Sequence, residues 1–267
     1  MPLSRAYSLA FGGGAARGLA HIGVVQYLEE QGICIEELAG TSMGAIIAAC
    51  MATGMTSQEM RKSVGEIQFL KLIDLNLFDG VISGALVSKK FEELFGNQNI
   101  EDTKIPLSIM TTDMESGEAK ILRTGRIVDA LRASISLPGV FAPYQWEGHT
   151  YLDGGLKANL PIQALNGNNI IAITVIRESG RKIETHKKIL DFQIKRGFFA
   201  YNYDIFRRSV SMLMTTNEDL QIALAKERGK NIQVFQLNTD GYEYYDFLKY
   251  NAIIELGYQE MHRLFKL

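Results

Sequence analysis

The chain has 267 residues, of which 46% are hydrophobic and 22% are charged, and its formal net charge is −2. This composition is typical of a globular enzyme and argues against a largely disordered chain. So small a net charge gives no electrostatic reason to expect nucleic acid as the main partner.

The two cysteines, Cys34 and Cys50, lie far from any Cys/His cluster, so we expect buried reduced thiols, no disulfide framework and no zinc site. We expect no other metal and no cofactor. The N-terminal segment is too glycine-rich for a secretory signal, and the longest uncharged apolar stretch, 43–55, is shorter than the roughly 18 residues of a membrane span. These features predict a cytoplasmic protein whose contact with a membrane would be peripheral.

Strands and helices alternate from the start of the chain. The run Tyr7–Phe11 predicts a buried strand, and apolar residues at helical spacing predict a helix over about 18–31. A second strand runs into Gly40. The helix after Ser42 is apolar nearly all round, which places it in the centre of the molecule.

The same alternation continues to the end of the chain. Thr56 and Glu59 have the spacing of a capping box, which predicts a helix start. Apolar β-rich runs at 105–112, 170–176 and 232–237 predict further strands. The pattern favours a three-layer α/β/α sandwich with a mostly parallel sheet. Without a linker or repeat, we expect a single domain over 1–267, with the core motifs at about 6–180 and a helical and strand completion at about 181–267.

The pentapeptide Gly40-Thr41-Ser42-Met43-Gly44 places a serine between a predicted strand and a predicted helix. On such a sharp turn the hydroxyl is exposed, and the flanking glycines let the strand and the helix approach each other. The helix N-terminus also favours negative charge that develops near the serine. A nucleophile is one interpretation, and an ordinary glycine-serine turn is the other.

The segment from Gly12 to Gly18 follows the first strand and contains three consecutive glycines. A dinucleotide fingerprint would need glycine where Arg17 stands, and an acidic residue after the second strand. An oxyanion hole fits better, because consecutive glycines bring backbone N–H groups close to a substrate carbonyl. A tight turn without further function is the remaining alternative.

A serine nucleophile needs a base, and none of the four histidines has a convincing setting. His21 lies among apolar helical residues and His149 in a polar hairpin turn. His186 and His262 lie in charged stretches that we interpret as solvated helix faces.

Asp153, in "YLDGGLKANLPI", is another candidate for the base, because its carboxylate follows a short strand and precedes two glycines. Asp-Gly is also the commonest hairpin dipeptide, so the local sequence is compatible with a turn as well as with a base.

Taken together, these motifs resemble the patatin-like phospholipase family. The resemblance rests on four segments in the family's order and spacing: the glycine loop Gly12–Gly18, the G-x-S-x-G turn Gly40–Gly44, "RASISLPGVFAP" (132–143), and Asp153–Gly155 followed by "ANLP". It covers about the first two thirds of the chain well and the last third weakly.

The resemblance implies a hydrolase of phospholipid or lysophospholipid esters that needs no histidine. Ser42 would attack the ester carbonyl, and Asp153 would accept its proton. The remaining implied site residues are the oxyanion-hole donors Gly13, Gly14 and Ala15, the elbow glycines Gly40 and Gly44, and the supporting residues Arg17, Gly154 and Gly155. Arg17 is open to three roles, namely shaping the loop, approaching anionic head groups, or forming a structural salt bridge.

Two other functions remain open at this stage. An acyltransferase has a similar nucleophile turn but usually requires a histidine base. A regulatory or scaffold protein could keep the fold with little activity. An intact Ser42–Asp153 pair counts against the scaffold.

Two regions outside the motifs are candidates for lipid contact. The stretch 55–99 could supply a lid and acyl groove, or an ordinary helical cover on the sheet. Between Lys187 and Arg208 there are six Lys/Arg and two Asp, and apolar residues recur at helical spacing from Phe199 to Leu213. This segment fits an anionic lipid surface, the core, or a second subunit. The sequence leaves the oligomeric state open.

Overall fold

The computed structural model describes residues 6–66, 75–76, 81–82, 84–176, 186–189, 192–195 and 198–265. Within these residues the fold is built on one large sheet with helices on both faces. Two short antiparallel pairs lie outside that sheet, one formed by β3 (Leu75–Asn76) and β4 (Val81–Ile82), the other by β10 (His186–Ile189) and β11 (Phe192–Lys195).

The large sheet has the strand order β12-β9-β1-β2-β5-β8-β7, with β6 also paired to β5. Neighbouring strands from β12 to β5 are parallel, and β6, β7 and β8 form the antiparallel end. The prediction of a mostly parallel sheet is therefore confirmed. The strands are β1 (Tyr7–Phe11), β2 (Ile35–Thr41), β5 (Leu107–Asp113), β6 (Ala119–Leu122), β7 (Tyr144–Trp146), β8 (His149–Asp153), β9 (Asn169–Thr174) and β12 (Asn231–Gln236).

Helices cover both faces of this sheet and bury two apolar clusters. Alternation along β1 divides its residues between them, with Leu9 and Phe11 in the larger cluster and Ala10 in the smaller. The helices are α1 (Ala20–Glu30), α2 (Met43–Thr53), α3 (Ser57–Glu66), α4 (Ala85–Phe95), α5 (Ile127–Ser134), α6 (Gly155–Ala158), α7 (Phe198–Glu227) and α8 (Tyr250–Leu264).

The first elements differ from their predictions only at the ends. The helix expected over 18–31 begins as a 3-10 helix, Ala15–Leu19, and continues as α1. Helix α2 is central and mostly buried, as its apolar sequence predicts. At the start of α3 the Thr56 N–H donates to Glu59 Oε2 over 2.8 Å, and the Glu59 N–H donates to Thr56 Oγ1 over 3.3 Å. The capping box is confirmed.

Helix α8 packs closely on α1, far from it in sequence. A Cβ on Gly23 of α1 would lie 2.5 Å from the Tyr258 nitrogen, and a Cβ on Gly257 of α8 would lie 2.7 Å from the Ala20 carbonyl carbon. A side chain at either glycine would separate the helices. The C-terminal helix is thereby held against the helix that follows the glycine loop.

Several expectations from sequence are wrong or fall outside the described residues. Cys34 is exposed, because it lies in the turn before β2 and not in a strand; Cys50 is buried, and burial raises the pKa of its thiol to about 12. His186 begins a strand and not a helix. Much of the stretch considered for a lid, 67–74, 77–80 and 83, lies outside the described residues. Across the described residues, no helix is both long enough and apolar enough to span a membrane.

Candidate active site

Ser42 lies between β2 and α2, on a turn with unusual backbone geometry. Its φ is 53° and its ψ is −124°, a combination that non-glycine residues rarely adopt. The glycines on either side permit the turn, since a Cβ on Gly40 would lie 2.5 Å from Ala45 Cα and one on Gly44 would lie 2.5 Å from the Gly12 carbonyl oxygen. The strand, the turn and the start of α2 therefore pack against one another at backbone distance.

Ser134, at the end of α5, holds this turn from the side. Its hydroxyl accepts the Ser42 N–H over 2.9 Å and donates to the Met110 carbonyl in β5 over 2.7 Å. Ser134 is fully buried. Its position in the "RASISLPG" segment was a signal in the sequence, but the sequence did not indicate that it would bind the amide of the proposed nucleophile.

Asp153 ends β8 beside Ser42 and is 2% exposed. Burial raises the pKa of its carboxyl from 3.8 to about 6, while the Gly155 N–H and the Ser42 hydroxyl lower it in part. The Gly155 N–H donates to Asp153 Oδ1 over 2.7 Å, and the Asp153 N–H donates to the Ser136 carbonyl over 2.9 Å. A buried carboxyl of this pKa is ionised at neutral pH and is a stronger base than an exposed aspartate.

The three predicted oxyanion-hole residues are not equivalent. The Gly13 N–H donates to the Asn159 carbonyl over 3.3 Å, whereas the N–H groups of Gly14 and Ala15 have no acceptor among the described residues. A Cβ on Gly13 would lie 3.1 Å from Ser42 Cβ, so the loop passes directly beside the serine. Gly14 and Ala15 are thus the loop residues whose donors are available to a ligand.

His21 anchors the same loop. It is fully buried, its ring lies 4.8 Å from that of Phe11, and its Nε2 donates to the Gly12 carbonyl over 2.8 Å when the ring is neutral. Burial lowers the pKa of the imidazole from 6.5 to about 4. The sequence left a packed or a helix-surface position open for His21; the ring is packed, and it supports the loop backbone.

Arg17 is fully buried within the loop segment. Its Nε donates to the Tyr242 carbonyl over 2.8 Å, and its guanidinium lies 4.2 Å from the centre of the Tyr244 ring. The Ala16 N–H donates to the Tyr244 carbonyl over 3.1 Å. These contacts are consistent with a role of Arg17 in shaping the loop, and its charge also helps to lower the pKa of Asp246.

Gly154 and Gly155 form the start of the short helix α6, directly after Asp153. A Cβ on Gly155 would lie 2.7 Å from Met214 Cε of α7 and 2.9 Å from Asn159 Oδ1. A larger residue at Gly155 would have to displace the Met214 or Asn159 side chain.

Two polar residues near the site were not singled out from sequence. Asn159 and Glu218 are both buried, and the Asn159 Nδ2 donates to Glu218 Oε1 over 2.7 Å. Asn159 was visible in the "ANLP" segment that follows Asp-Gly-Gly. Glu218 lies on α7, in a helical stretch that offers no motif.

Among the described residues, neither His149 nor His262 forms a hydrogen bond with Ser42, and the side chain of His186 lies outside the described residues. His149 is half exposed, and its Nδ1 bonds Asp113 Oδ2 over 2.9 Å. Potential ligand atoms of Asp113, Glu115 and His149 lie within 4.8 Å of one another, but the same carboxylates bind Ser116 and the Thr150 N–H. His262 is exposed on α8 and contacts Tyr27 and Tyr258 by ring edges.

Comparison with known proteins identifies the family of this chain and several relatives. A family model described as patatin-like phospholipase matches residues 9–166. An uncharacterized NTE family protein of Mycobacterium tuberculosis is 35% identical over 165 residues, which cover 61% of this chain and 46% of that protein. The neuropathy target esterase sws of Drosophila melanogaster is 36% identical over 179 residues, which cover 62% of this chain and 13% of that protein.

A solved structure supports the fold across the whole chain. The crystal structure of VipD from Legionella pneumophila matches with a TM-score of 0.63 at 14% identity, covering 99% of this chain and 67% of VipD. The chain spans less than half the length of the curated relatives cited above.

Proposed function

Since the chain belongs to the patatin-like phospholipase family, we propose that it is a serine-dependent acyl hydrolase that cleaves carboxylic ester bonds of phospholipids or lysophospholipids. One observation carries the proposal. A buried carboxyl, Asp153, faces the hydroxyl of Ser42 on a strained turn, and its pKa is raised to about 6. The name neuropathy target esterase, given to one similar protein, is consistent with ester hydrolysis.

The first half-reaction transfers the acyl group to the enzyme. Ser42 Oγ attacks the ester carbonyl carbon as Asp153 takes the hydroxyl proton, and the carbonyl oxygen becomes an oxyanion. The N–H groups of Gly14 and Ala15 donate to that oxyanion, while Gly13 leaves room for it beside the serine. The carbon–oxygen bond to the alcohol then breaks, and Asp153 returns the proton to the leaving alkoxide.

The second half-reaction releases the fatty acid. A water molecule gives a proton to Asp153 and attacks the acyl carbonyl, which restores the oxyanion in the same hole. The bond to Ser42 Oγ then breaks, and the serine recovers its proton from Asp153. The carboxyl therefore accepts and returns one proton in each half-reaction, and no histidine is needed.

A raised pKa makes an aspartate suitable for this role. An ordinary aspartate has a pKa near 3.9, so its carboxylate is a weak base for a serine hydroxyl. At a pKa of about 6, Asp153 is still ionised at pH 7, yet it holds the transferred proton more strongly.

Helix α7 would bring the site to a lipid surface. Met212, Leu213 and Leu220 on its outward face are 65%, 71% and 54% exposed. On the inward face, Met214 lies against Gly155 in the catalytic turn. An apolar helix face next to the site, with basic residues before it in sequence, suits the surface of an anionic bilayer. Phe199, Tyr203 and Phe206 belong to the same predicted stripe, but their side chains lie outside the described residues.

The reaction is tested with a fluorophosphonate probe and a panel of lipids. We expect the probe to label Ser42, and the protein to release fatty acid from diacyl or lysophospholipids. Ser42→Ala should lose both labelling and hydrolysis while it remains folded. A folded wild-type protein that is neither labelled nor active on any ester would refute the proposal.

The lipid contact needs a separate readout. In Leu213→Ser/Leu220→Ser we expect weaker co-sedimentation with vesicles of phosphatidylcholine and phosphatidylglycerol, and unchanged hydrolysis of a soluble short-chain ester. Leu248→Ser is a matched control, because this leucine is 68% exposed but lies off the helix. Equal vesicle binding by all three proteins would refute the contact.

A further inference from the structure

Glu218 is a fully buried acidic residue on α7, facing the sheet. Its Oε1 accepts the Asn159 Nδ2 over 2.7 Å, and its Oε2 accepts the Thr174 hydroxyl over 2.8 Å. Thr174 is the last residue of β9. The carboxylate therefore joins the helix to two segments that both lie beside the glycine loop.

Those two segments hold the loop by its backbone. The Gly12 N–H donates to the Ile173 carbonyl over 3.0 Å, next to Thr174, and the Gly13 N–H donates to the Asn159 carbonyl over 3.3 Å. Any displacement of Asn159 or of the end of β9 would move the loop relative to Ser42.

The carboxylate also decides which way the Asn159 amide points. Because Glu218 Oε1 accepts the hydrogen bond, the NH₂ end of the amide faces the carboxyl group. The Oδ1 end is then directed to the opposite side, where a Cβ on Gly13 or Gly155 would lie 2.7 Å or 2.9 Å from it. The amide oxygen thus lies between the oxyanion loop and the turn that follows Asp153.

We propose that Glu218 is a positioning residue for the oxyanion loop, acting through Asn159; this rests on the hydrolase proposed above. Glu218 touches neither substrate nor Ser42 in this role. It fixes the amide that separates the glycine loop from the Asp153 turn, and it ties the end of β9 to the same helix. The donors of Gly14 and Ala15 are held in place as a result.

A purely structural role for Glu218 predicts something different. Burying a carboxylate is costly, and an apolar residue of similar volume at such a site often leaves stability unchanged or increases it. If Glu218 only joined α7 to the sheet, a well-packed apolar substitute would keep the activity of the folded protein.

The test compares Glu218→Met with Glu218→Gln and with the control Asp219→Asn, an exposed carboxylate one residue along the helix. Methionine fills the volume but accepts no hydrogen bond of this strength. We expect it to melt like wild type, with kcat on a soluble short-chain ester reduced about 10²-fold and KM little changed. Glutamine can still accept the Asn159 N–H through its carbonyl, so kcat should be within about threefold of wild type, as in the control.

Hydrogen exchange gives a readout that needs no activity. In Glu218→Met, amides of residues 12–18 should exchange faster than in wild type, while those of α1 should not. A folded Glu218→Met protein with wild-type kcat and wild-type exchange would overturn the positioning role. If wild type hydrolyses no ester, the proposed function fails, and the exchange comparison still decides whether Glu218 fixes the loop.

Discussion

Asp113 and Asp153 lie on the paired strands β5 and β8, but their surroundings shift their pKa values in opposite directions. The register places Asp113 opposite Tyr151 and Asp153 opposite Thr111. The pKa of Asp113 is lowered, chiefly by the backbone N–H and the hydroxyl of Ser116, with His149 contributing. The pKa of Asp153 is raised to about 6, chiefly by burial.

The comparison separates the carboxyl that we propose as the base from one that only resembles it. Asp113 has the histidine partner that a Ser-His-Asp triad would contain, but that histidine is half exposed, and no hydrogen bond joins the pair to Ser42 among the described residues. Asp153 has no histidine, yet it has the burial and the neighbouring hydroxyl that general base catalysis needs. The surroundings of a side chain, more than its partner type, identify the base.

The largest expected effect comes from Asp153→Asn. Asparagine keeps the shape and the turn preference of aspartate but cannot accept the serine proton, so hydrolysis should fall by roughly 10² to 10⁴. The check is kcat together with a melting curve. Retained activity in the folded variant would mean that Asp153 only shapes the turn. It would then differ from Asp113 in burial but not in catalytic role.

The pH profile of the wild type sharpens the same contrast. Because only the ionised carboxyl acts as the base, the rate should fall about tenfold per pH unit below the pKa of Asp153, which is about 6. This acid limb of the pH–rate profile should have the same apparent pKa in His149→Ala as in wild type. A limb that disappears in that variant would assign the titration to the histidine.

Stability should respond to pH through Asp153 and His21 in opposite senses. The folded pKa of Asp153 lies above its ordinary value of 3.8, so its burial costs stability as pH rises from about 4 to about 6. The folded pKa of His21, about 4, lies below 6.5, so stability is lost as pH falls between those values. Each effect changes the free energy of unfolding by on the order of 3 kcal/mol over its pH range. Around pH 5 the two slopes against pH have opposite signs and largely cancel.

Asp153→Asn removes one of these two opposing effects. At pH 7 we expect the variant to be more stable than wild type by up to about 3 kcal/mol, with the difference shrinking towards pH 4. Denaturant unfolding at several pH values measures this. A difference that does not change with pH would show that burial does not raise the pKa of Asp153.

The smallest effect is expected for His149→Ala. The ring is half exposed and away from Ser42, so both the rate and the melting temperature should stay close to wild type, with the rate within about threefold. Paired assays on the same preparation measure this. A folded but inactive variant would require a Ser-His-Asp arrangement in place of the dyad.

Local patterns in the sequence were enough to predict the elbow, the glycine loop and most elements of the sheet. Each depends on residues close together in the chain, such as Gly40, Ser42 and Gly44, where spacing alone reflects the geometry. The Thr56–Glu59 capping box is of the same kind.

Contacts between distant segments could not be predicted in this way. Nothing near Glu218 in the sequence indicates that it meets Asn159 and Thr174, since that contact depends on how α7 crosses the sheet. Arg17 is a similar case, because a basic residue in a glycine loop suggests an anion site until Tyr242 and Tyr244 are known to cover it. Cys34 was wrongly predicted to be buried because a short turn interrupts its apolar surroundings.

The position of β1 within the sheet also governs when the proposed site can form as the chain is synthesised. Strands β1 and β2 are consecutive in the chain, but β1 gains its other neighbour in the sheet only when β9 has been made, and β9 in turn pairs with the later strand β12. Pairing of such distant segments is slow. Until β9 emerges, Gly12 lacks the carbonyl of Ile173 that holds it. If Ser42 is the nucleophile proposed above, a nascent chain that already carries it therefore lacks a fixed oxyanion loop until β9 has been made.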